Sequence, residues 1–280
     1  MSGIWVLLFW ERYPNLKSGN VYCVPERNVI KMSRTVIDAY QKLNSPVKES
    51  YETLKANIQL YDFGTKIKSL TVTSYRAREG KTTTACNLAI VMAMSGLKVL
   101  LVDADLHKPE LMKDLKGKNF LGLSNILLGY STLSEAVNST SVEGFHYISC
   151  GIMPLNPAGL LGSSRFKDFL SEACERYDIV IFDTPPLGSV TDSRIVASQT
   201  DGAIFVIQPG KTSYKNLKMI KNQLQKSKIN LLGAVLNKIP ADDYRDYQME
   251  YDYFGSKKKY SKEWLDKIRK KGGIRSLYVE

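Results

Sequence analysis

A lysine and two threonines directly follow a glycine in the segment Glu79-Gly80-Lys81-Thr82-Thr83. This segment lies between a predicted strand at residues 70–74 and a predicted helix at residues 83–94, which is the context that a phosphate-binding loop requires. Backbone N–H groups at such a turn hold phosphate oxygens, helped by the helix dipole. Lys81 supplies a positive charge for the β- and γ-phosphates, and the Thr82 hydroxyl can ligate Mg²⁺. The segment indicates a nucleotide site, although a short Gly-Lys-Thr sequence can also begin a helix by coincidence.

Three carboxylates stand at the ends of strongly apolar runs. Asp103 and Asp105 follow the run Val99-Leu100-Leu101-Val102, and Asp183 follows Ile179-Val180-Ile181-Phe182. Residues two apart on a strand face the same side, so we expect Asp103 and Asp105 to emerge together at the carboxyl end. Either of these two alone could instead cap the following loop. All three carboxylates together with a glycine-lysine-threonine loop predict a magnesium–nucleotide site.

The elements that position these residues alternate between apolar strands and amphipathic helices from Ser45 onward. Continuously apolar strands separated by helices are typical of a parallel sheet that is covered on both faces. Ligands of such sheets bind at the carboxyl ends of the strands. The sequence therefore predicts an α/β fold, a doubly wound, mostly parallel sheet with helices on both faces, as in P-loop NTPases. The predicted strands are residues 70–74, 98–103, 145–149, 179–183, 203–207 and 231–237. The predicted helices are one from Ser45, residues 83–94, 124–128, 133–137 and 164–176, one from Asp192, and residues 214–224.

The chain divides into three parts by pattern. Residues 1–44 have no sustained periodicity and are expected to form a disordered N-terminal extension. Residues 45–240 form the predicted nucleotide-binding domain. Residues 241–280 form a tail that is rich in tyrosine and in basic residues. An apolar run at residues 4–10 is too short to span a bilayer.

Composition limits the classes of site and partner. The chain has 39 Lys+Arg against 28 Asp+Glu, a formal net charge of +11, which favours anionic partners. Much of the excess lies at residues 257–275, for which we expect weak, salt-sensitive contact with an anionic membrane surface and no specific nucleic-acid site. The four cysteines are far apart, without a metal-ligand spacing, which argues against zinc and disulfides and fits a reducing cytosol.

Five tyrosines lie among carboxylates in the polar segment after Ala241. A core strand would not place acidic residues so densely between aromatic ones, so we expect this segment to stay outside the core. Composition alone is also consistent with a partner-binding tail. The tyrosines are Tyr244, Tyr247, Tyr251, Tyr253 and Tyr260.

Several motifs resemble those of the bacterial tyrosine kinases that control capsule and exopolysaccharide synthesis. The run Asp103-Ala104-Asp105-Leu106-His107-Lys108-Pro109 resembles their second Walker-type motif, and Phe182-Asp183-Thr184-Pro185-Pro186 resembles their Walker B motif. Gly151-Ile152-Met153-Pro154-Leu155-Asn156-Pro157 looks like the loop that precedes this Walker B strand. The resemblance implies ATP and Mg²⁺ as cofactors, Asp103 as the catalytic base, and Asp105 and Asp183 as groups that hold Mg²⁺ or its waters. It also implies that the tyrosine cluster is autophosphorylated.

The same resemblance implies a set of partners. These are a membrane-bound activator of the polysaccharide machinery, further copies of the chain in a homo-oligomer, and a tyrosine phosphatase. The protein is then expected in the cytoplasm, at the inner face of the membrane through its partner.

The sequence also departs from this family at several positions, among them Ala77, which takes the place of a proline. Arg78 takes the place of a loop glycine, and His107 that of an arginine. Glu52 and Lys55 occupy two arginine positions of a helix that builds a ring-shaped oligomer in the family. Because one charge is reversed and one guanidinium fork is replaced by an ammonium, the sequence does not predict ring assembly of the family type for this chain.

Two other functions remain open from the sequence. The first is a partitioning-type regulatory ATPase of the same superfamily, which carries a signature lysine where this chain has Arg76. The second is a kinase-inactive, nucleotide-dependent scaffold for polysaccharide assembly, which Arg78 would allow. The tyrosine segment and the Pro-Leu-Asn-Pro loop favour the kinase.

Overall fold

The structure, a computed structural model, describes residues 40–43, 45–60, 66–109, 121–212 and 229–239, together with the backbone of residues 20–25 and the single positions 216, 219, 220, 224 and 227. These residues contain the whole predicted nucleotide site. The predicted tyrosine tail and basic end lie outside the described residues, as does most of the predicted N-terminal extension.

Eight strands form one sheet in the order β1-β8-β7-β2-β6-β3-β5-β4. All neighbouring strands are parallel except β4, which runs antiparallel to β5 at one edge. The strands are β1 Asn20–Pro25, β2 Ser69–Ser74, β3 Val99–Asp103, β4 Asn138–Ser139, β5 Phe145–Ile148, β6 Ile179–Asp183, β7 Gly202–Ile207 and β8 Leu231–Ile239. The helices are α1 Ser45–Leu60, α2 Lys81–Met94, α3 Leu123–Leu128, α4 Leu133–Ala136, α5 Pro157–Leu161, α6 Ser164–Arg176 and α7 Asp192–Ala197.

The sheet is covered on both faces, as the unbroken apolar strands predicted. Every residue of β2, β3, β6 and β7 is buried. Alternate residues of β3 serve opposite layers, since Leu101 packs with α1 and α2 whereas Leu100 and Val102 pack with α3 and α6. The doubly wound α/β prediction is confirmed.

One N-terminal prediction was wrong. Residues 20–25 form strand β1, which pairs in parallel with β8, whereas the sequence predicted no regular element before Ser45. The run Val21-Tyr22-Cys23-Val24 has the β-branched and aromatic composition of a strand, but it is too short to show a period by itself. Pairing with β8 provides the backbone partners that make it a strand, and it covers an edge that would otherwise be open.

Other differences concern short elements. The two-residue strand β4 and the five-residue helix α5 were not predicted, since neither is long enough to show a repeat. Of the helix predicted at residues 214–224, Asn216, Met219, Ile220 and Leu224 are helical and the other positions lie outside the described residues. None of the helices in the described part of the chain has the length and apolarity needed to cross a membrane.

Candidate nucleotide and phosphotransfer site

The loop between β2 and α2 is organised by the side chain of Glu79. Glu79 is completely buried, and its Oε2 accepts hydrogen bonds from the backbone N–H groups of Tyr75 (2.9 Å) and Arg76 (2.8 Å). Its Oε1 accepts a bond of 2.7 Å from Thr212 Oγ1. The carboxylate therefore fixes the loop from within, and a contact of Glu79 with a nucleotide would have to come from its backbone.

The end of β8 holds the other side of this loop. Asn237 Nδ2 donates to the Glu79 carbonyl (2.9 Å), and Lys238 Nζ donates to the Arg78 carbonyl (3.0 Å). Gly80 precedes the helix with φ of 97°, a left-handed conformation that glycine adopts without steric cost. Both the sequence of the loop and its contacts with β8 thus set the path of its backbone.

Arg78, the residue in place of the family's loop glycine, has φ of 65°. Its side chain is exposed, so it does not fill the space inside the loop. A non-glycine residue in the left-handed region is strained by about 1 kcal/mol, because its Cβ approaches its own backbone. The substitution therefore keeps the backbone conformation of a glycine position and adds strain to it.

We expect Arg78→Gly to raise the free energy of unfolding by roughly 0.5 to 1 kcal/mol, because glycine relieves the positive φ. Chemical denaturation of the two proteins measures this difference. Arg78→Ala is the matched control, since it removes the guanidinium but keeps a Cβ at the strained position. Equal stabilisation by Ala and Gly would assign the effect to the charge of Arg78 and not to its backbone.

The three predicted carboxylates and the predicted lysine meet at the carboxyl ends of β3 and β6. Lys81 Nζ lies 3.5 Å from an oxygen of Asp105 and 3.5 Å from an oxygen of Asp183. Thr82 Oγ1 donates a hydrogen bond of 2.6 Å to Asp183 Oδ2. Asp103 and Asp105 are joined through the Asp105 backbone N–H, which donates to Asp103 Oδ1 (3.1 Å). The residues that the sequence placed in one site are thus brought together.

Burial sets the protonation of this cluster. Burial first, and then the charge of Asp183, raise the pKa of Asp103 well above its ordinary value. Burial also raises the pKa of Asp183, against the opposing effect of Lys81. For Lys81, burial alone would lower the pKa, but Asp183, Asp105 and Asp103 outweigh it and the pKa is raised. Lys81 therefore stays charged in the site, while Asp103 binds a proton more readily than an ordinary aspartate does.

The oxygen donors of the cluster suit Mg²⁺. Asp183 Oδ1 is buried and accepts no hydrogen bond from the described residues, although it faces Lys81. Within the described residues, no group of three or more His, Cys, Asp and Glu side chains could hold a metal by itself. Mg²⁺ is commonly held by one or two carboxylates together with substrate phosphates and waters. Thr82, Asp105 and Asp183 are the residues that would supply the protein's share.

His107 makes a contact that sequence reasoning did not anticipate. Its Nε2 lies 2.9 Å from Oδ2 of Asp192, a buried carboxylate at the start of α7. Next to it, Ser193 Oγ donates to the carbonyl of Pro185, in the loop that follows Asp183. The contact between His107 and Asp192 joins the segment after β3 to the segment after β6. His107, which stands where the family has an arginine, therefore connects the segments that follow Asp103 and Asp183.

The remaining predicted site residues divide into two groups. Thr83 lies exposed in the first turn of α2, with its backbone beside the loop. The tyrosines at positions 244, 247, 251, 253 and 260 lie outside the described residues.

The sequence did not predict the supporting roles of Thr212, Asn237 and Asp192. No motif provides a signal for them, because each acts through a contact between distant segments.

Arg76 and the helix α1 bear on the alternative functions and on assembly. Arg76 is exposed, with its guanidinium 5.9 Å from the centre of the Tyr75 ring. On α1, Lys55 Nζ lies 2.5 Å from Glu52 Oε2, so these two residues pair with each other within one helix. Glu52 and Lys55, which stand where the family has two arginines, therefore neutralise each other's charge.

Known proteins match the chain over most of its length. The AAA domain family matches residues 67–235. The tyrosine-protein kinase YwqD of Bacillus subtilis (strain 168) is 39% identical over 232 residues, which cover 83% of this chain and 93% of that protein. The kinase domain of the Escherichia coli tyrosine kinase ETK has a TM-score of 0.71 and 26% identity, covering 86% of this chain and 92% of that one. The chimerical protein CapA2B2 also has a TM-score of 0.71, with 29% identity over 78% of this chain and 93% of its own.

These matches agree with the motifs at the site. The phosphate-binding loop, the paired aspartates after β3 and the aspartate that ends β6 all lie within the matched region. The resemblance to bacterial tyrosine kinases is confirmed. The chain belongs to the bacterial tyrosine-protein kinase family and carries the AAA domain of a P-loop ATPase.

Proposed function

We propose that the chain is a protein-tyrosine kinase that uses Mg²⁺ and ATP to phosphorylate a cluster of tyrosines on other copies of itself. The observation that carries this proposal is the arrangement of Lys81, Asp103, Asp105 and Asp183 beside the loop at Gly80. A buried lysine in contact with two carboxylates, next to a third carboxylate that binds protons readily, suits transfer of a phosphoryl group to a hydroxyl. The proposed acceptors are Tyr244, Tyr247, Tyr251, Tyr253 and Tyr260.

The chemistry assigns a role to each group. The tyrosine oxygen bonds to the γ-phosphorus of ATP as the bond from that phosphorus to the bridging oxygen breaks, leaving ADP. The tyrosine proton passes to the carboxylate of Asp103, whose raised pKa makes it a stronger base than an exposed aspartate. Lys81 and the loop N–H groups stabilise the negative charge of the transferring group. When bound, Mg²⁺ would neutralise phosphate charge.

The cellular role follows from family membership. The polysaccharide-linked members of the family regulate capsule or exopolysaccharide synthesis, and we assign this chain the same role. Its proposed partners are a membrane-bound activator, a tyrosine phosphatase and further copies of the chain. It would act in the cytoplasm, at the inner face of the membrane through the activator, with the basic end adding weak contact to anionic lipid. Since Glu52 and Lys55 pair within α1, assembly would have to rest on other contacts than that pair.

Replacement of Tyr244, Tyr247, Tyr251 and Tyr253 with Phe is expected to remove most phosphotyrosine formation and to leave nucleotide binding unchanged. The reason is access, because buried tyrosines such as Tyr51 and Tyr177, 1% and 7% exposed, would have to unfold local structure to react. Mass spectrometry of the purified protein after incubation with Mg²⁺ and ATP locates the phosphate. Tyr130 is an internal control, since it is 71% exposed but lies in the folded domain. Phosphate found mainly at Tyr130 or elsewhere in residues 66–239 would refute the assignment of the acceptor segment.

A further inference from the structure

An exposed apolar loop follows β5 and precedes α5. Ile152, Met153 and Leu155 are 46%, 67% and 107% exposed, so three large apolar side chains within four residues face solvent. Most other large apolar side chains of the described chain pack in one of three buried clusters. A concentration of exposed apolar groups is typical of a surface that binds a partner. We call residues 151–156 the apolar loop.

The apolar loop is fixed at both of its ends. Gly151 has φ of 79°, and a Cβ there would lie 2.2 Å from Oδ1 of Asn125. That same oxygen accepts hydrogen bonds from the N–H groups of Gly122 (3.1 Å) and Ile152 (3.3 Å). At the other end, Asn156 Oδ1 accepts from the Gly159 N–H (3.0 Å) and caps α5. The backbone is anchored, so the exposure of the three side chains is a property of the fold.

The apolar loop lies beside the proposed phosphotransfer site. Strand β5 pairs directly with β3, and β3 pairs with β6, so the ends of the three strands are neighbours. Cys150 is the residue before the loop. Burial first, and then the nearby charges of Asp103 and Asp105, raise the pKa of its thiol to about 12. A peptide with one residue in the site can therefore reach the apolar loop with a neighbouring residue.

We infer that the apolar loop is a docking surface for residues 241–254 of a second copy of this chain, and that it holds one aromatic side chain of that segment while a neighbouring tyrosine occupies the phosphotransfer site. This inference rests on the proposed function. It assigns the loop a role in acceptor recognition, and it accounts for a cluster of tyrosines where one would suffice as a substrate.

The spacing of the tyrosines matches the geometry of the sheet. Tyr244, Tyr247 and Tyr251 are three and four residues apart, which is about 10 to 13 Å in an extended chain. The end of β5 lies two strands from the end of β6, a separation of about 10 Å. One tyrosine can thus reach the acid cluster while the previous or next one contacts Met153 or Leu155.

The same geometry limits how the chain's own Tyr244 can reach the site. Strand β8 ends at Ile239, three strands or about 14 Å from the end of β6. Tyr244 is only five residues beyond Ile239, which gives a reach of about 16 Å when fully extended. Its own chain would therefore have to be taut to bring Tyr244 to the site, and only the later tyrosines could reach it with slack. A second copy can present every tyrosine of the segment, Tyr244 included.

Charge supports the same occupant. The segment 241–254 carries five carboxylates and one arginine, in a chain whose formal net charge is +11. Lys108 follows β3 at the same edge of the sheet, and its side chain is exposed. An acidic, aromatic segment complements an apolar loop with a basic neighbour, since the carboxylates can stay near Lys108 while the rings cover Met153 and Leu155.

The test measures transfer between two different copies. The donor has Ser at all five tail tyrosines, and the acceptor carries Lys81→Met with an intact tail. We expect Met153→Gln with Leu155→Gln in the donor to lower the rate at subsaturating acceptor by about tenfold, through a higher KM and not a lower kcat. The matched control, Leu60→Gln with Met94→Gln, removes side chains that are 59% and 66% exposed elsewhere and should leave the rate unchanged.

A second acceptor separates docking from damage to the site. In it, Tyr251 is kept while Tyr244, Tyr247, Tyr253, Phe254 and Tyr260 become Ala, so that no second tyrosine of the cluster is available. The loop variant should phosphorylate this acceptor within about twofold of the unmodified donor, since only contacts to a second ring are lost. An equal loss with both acceptors, or no loss with either, would overturn the inference. So would loss of binding to anionic vesicles with transfer unchanged, which would make the loop a membrane contact.

Direct binding distinguishes failure of this inference from failure of the proposed function. If the unmodified donor forms no phosphotyrosine on any acceptor, the proposed function fails. Binding of a labelled peptide of residues 241–254 to the full chain, followed by fluorescence anisotropy, still tests the docking surface. We expect the loop variant to bind this peptide about tenfold more weakly, and equal binding would contradict the inference.

Discussion

Lys81→Met is expected to lower the rate of phosphotyrosine formation by at least about 100-fold. Lys81 is the ammonium that contacts both Asp105 and Asp183 beside the loop, and a methionine of similar length provides no charge for the transferring group. Phosphotyrosine formed per minute by the purified protein with Mg²⁺ and ATP measures this effect. Lys98→Met serves as the control, because Lys98 lies over the ring of Tyr177, at the opposite end of β3, and should keep its activity.

The same substitution should also lower stability, in a manner that depends on pH. Without Lys81, three buried carboxylates lose the positive charge that offsets them, and we expect a loss of about 3 kcal/mol near neutral pH. The folded-state pKa values of Asp103 and Asp183 are raised, so the stability linked to their protonated forms is fully present below the ordinary aspartate pKa and is lost as the pH rises through the raised values. As the pH falls and the carboxylates take up protons, the difference between Lys81→Met and the wild-type chain should shrink.

Thermal and chemical denaturation across pH 4 to 8 measure that difference. Lys81→Arg is informative beside it, because it keeps a charge near the carboxylates but replaces a compact ammonium with a planar fork. It should recover part of the stability and little of the activity. If Lys81→Met keeps full activity under conditions where it is folded, the site described at Lys81 is not the site of phosphotransfer.

The sequence predicted the parts of the fold that depend on long, regular patterns. Strand β6 and helix α6 were predicted with the bounds that they have, because an unbroken apolar run and an amphipathic period each extend over enough residues to be distinguished. Strand β1 was missed for the opposite reason, since its pairing with β8 depends on a segment more than 200 residues later in the chain. Regular periodicity reports local burial, and it carries no information on which distant edge a short segment will join.

The site shows the same division between motif and contact. The types and spacing of Lys81, Asp103, Asp105 and Asp183 were sufficient to predict a common site, because the carboxyl ends of parallel strands meet at one edge. Glu79 was predicted as part of the phosphate-binding loop, but the sequence did not predict that its carboxylate accepts bonds from the loop itself and from Thr212. Motif position identifies which residues are near the phosphates, but the direction of a side chain depends on donors that come from elsewhere in the fold.

Gly80→Ala is expected to combine a large loss of stability with loss of nucleotide binding. A Cβ at Gly80 would lie 1.9 Å from Nδ2 of Asn237, so the buried Asn237 side chain would have to move and give up its bond to the Glu79 carbonyl. The φ of 97° adds backbone strain, since an alanine is strained in this region by about 1 to 2 kcal/mol. Together we expect a loss of about 3 kcal/mol in the free energy of unfolding.

Gly96→Ala separates these two contributions. Gly96 has φ of 91°, close to that of Gly80, but no atom lies within 4 Å of where its Cβ would be. Its substitution should therefore lose only the backbone part, and it should leave ATP binding intact because Gly96 follows α2 at the end away from the loop. The difference between the two variants in chemical denaturation measures the contact with Asn237. Asn237→Ala in the Gly80→Ala background should then recover space but not the lost hydrogen bond, so stability should rise only in part. Equal losses for Gly80→Ala and Gly96→Ala would mean that Asn237 moves aside freely and that β8 does not hold the phosphate-binding loop in place.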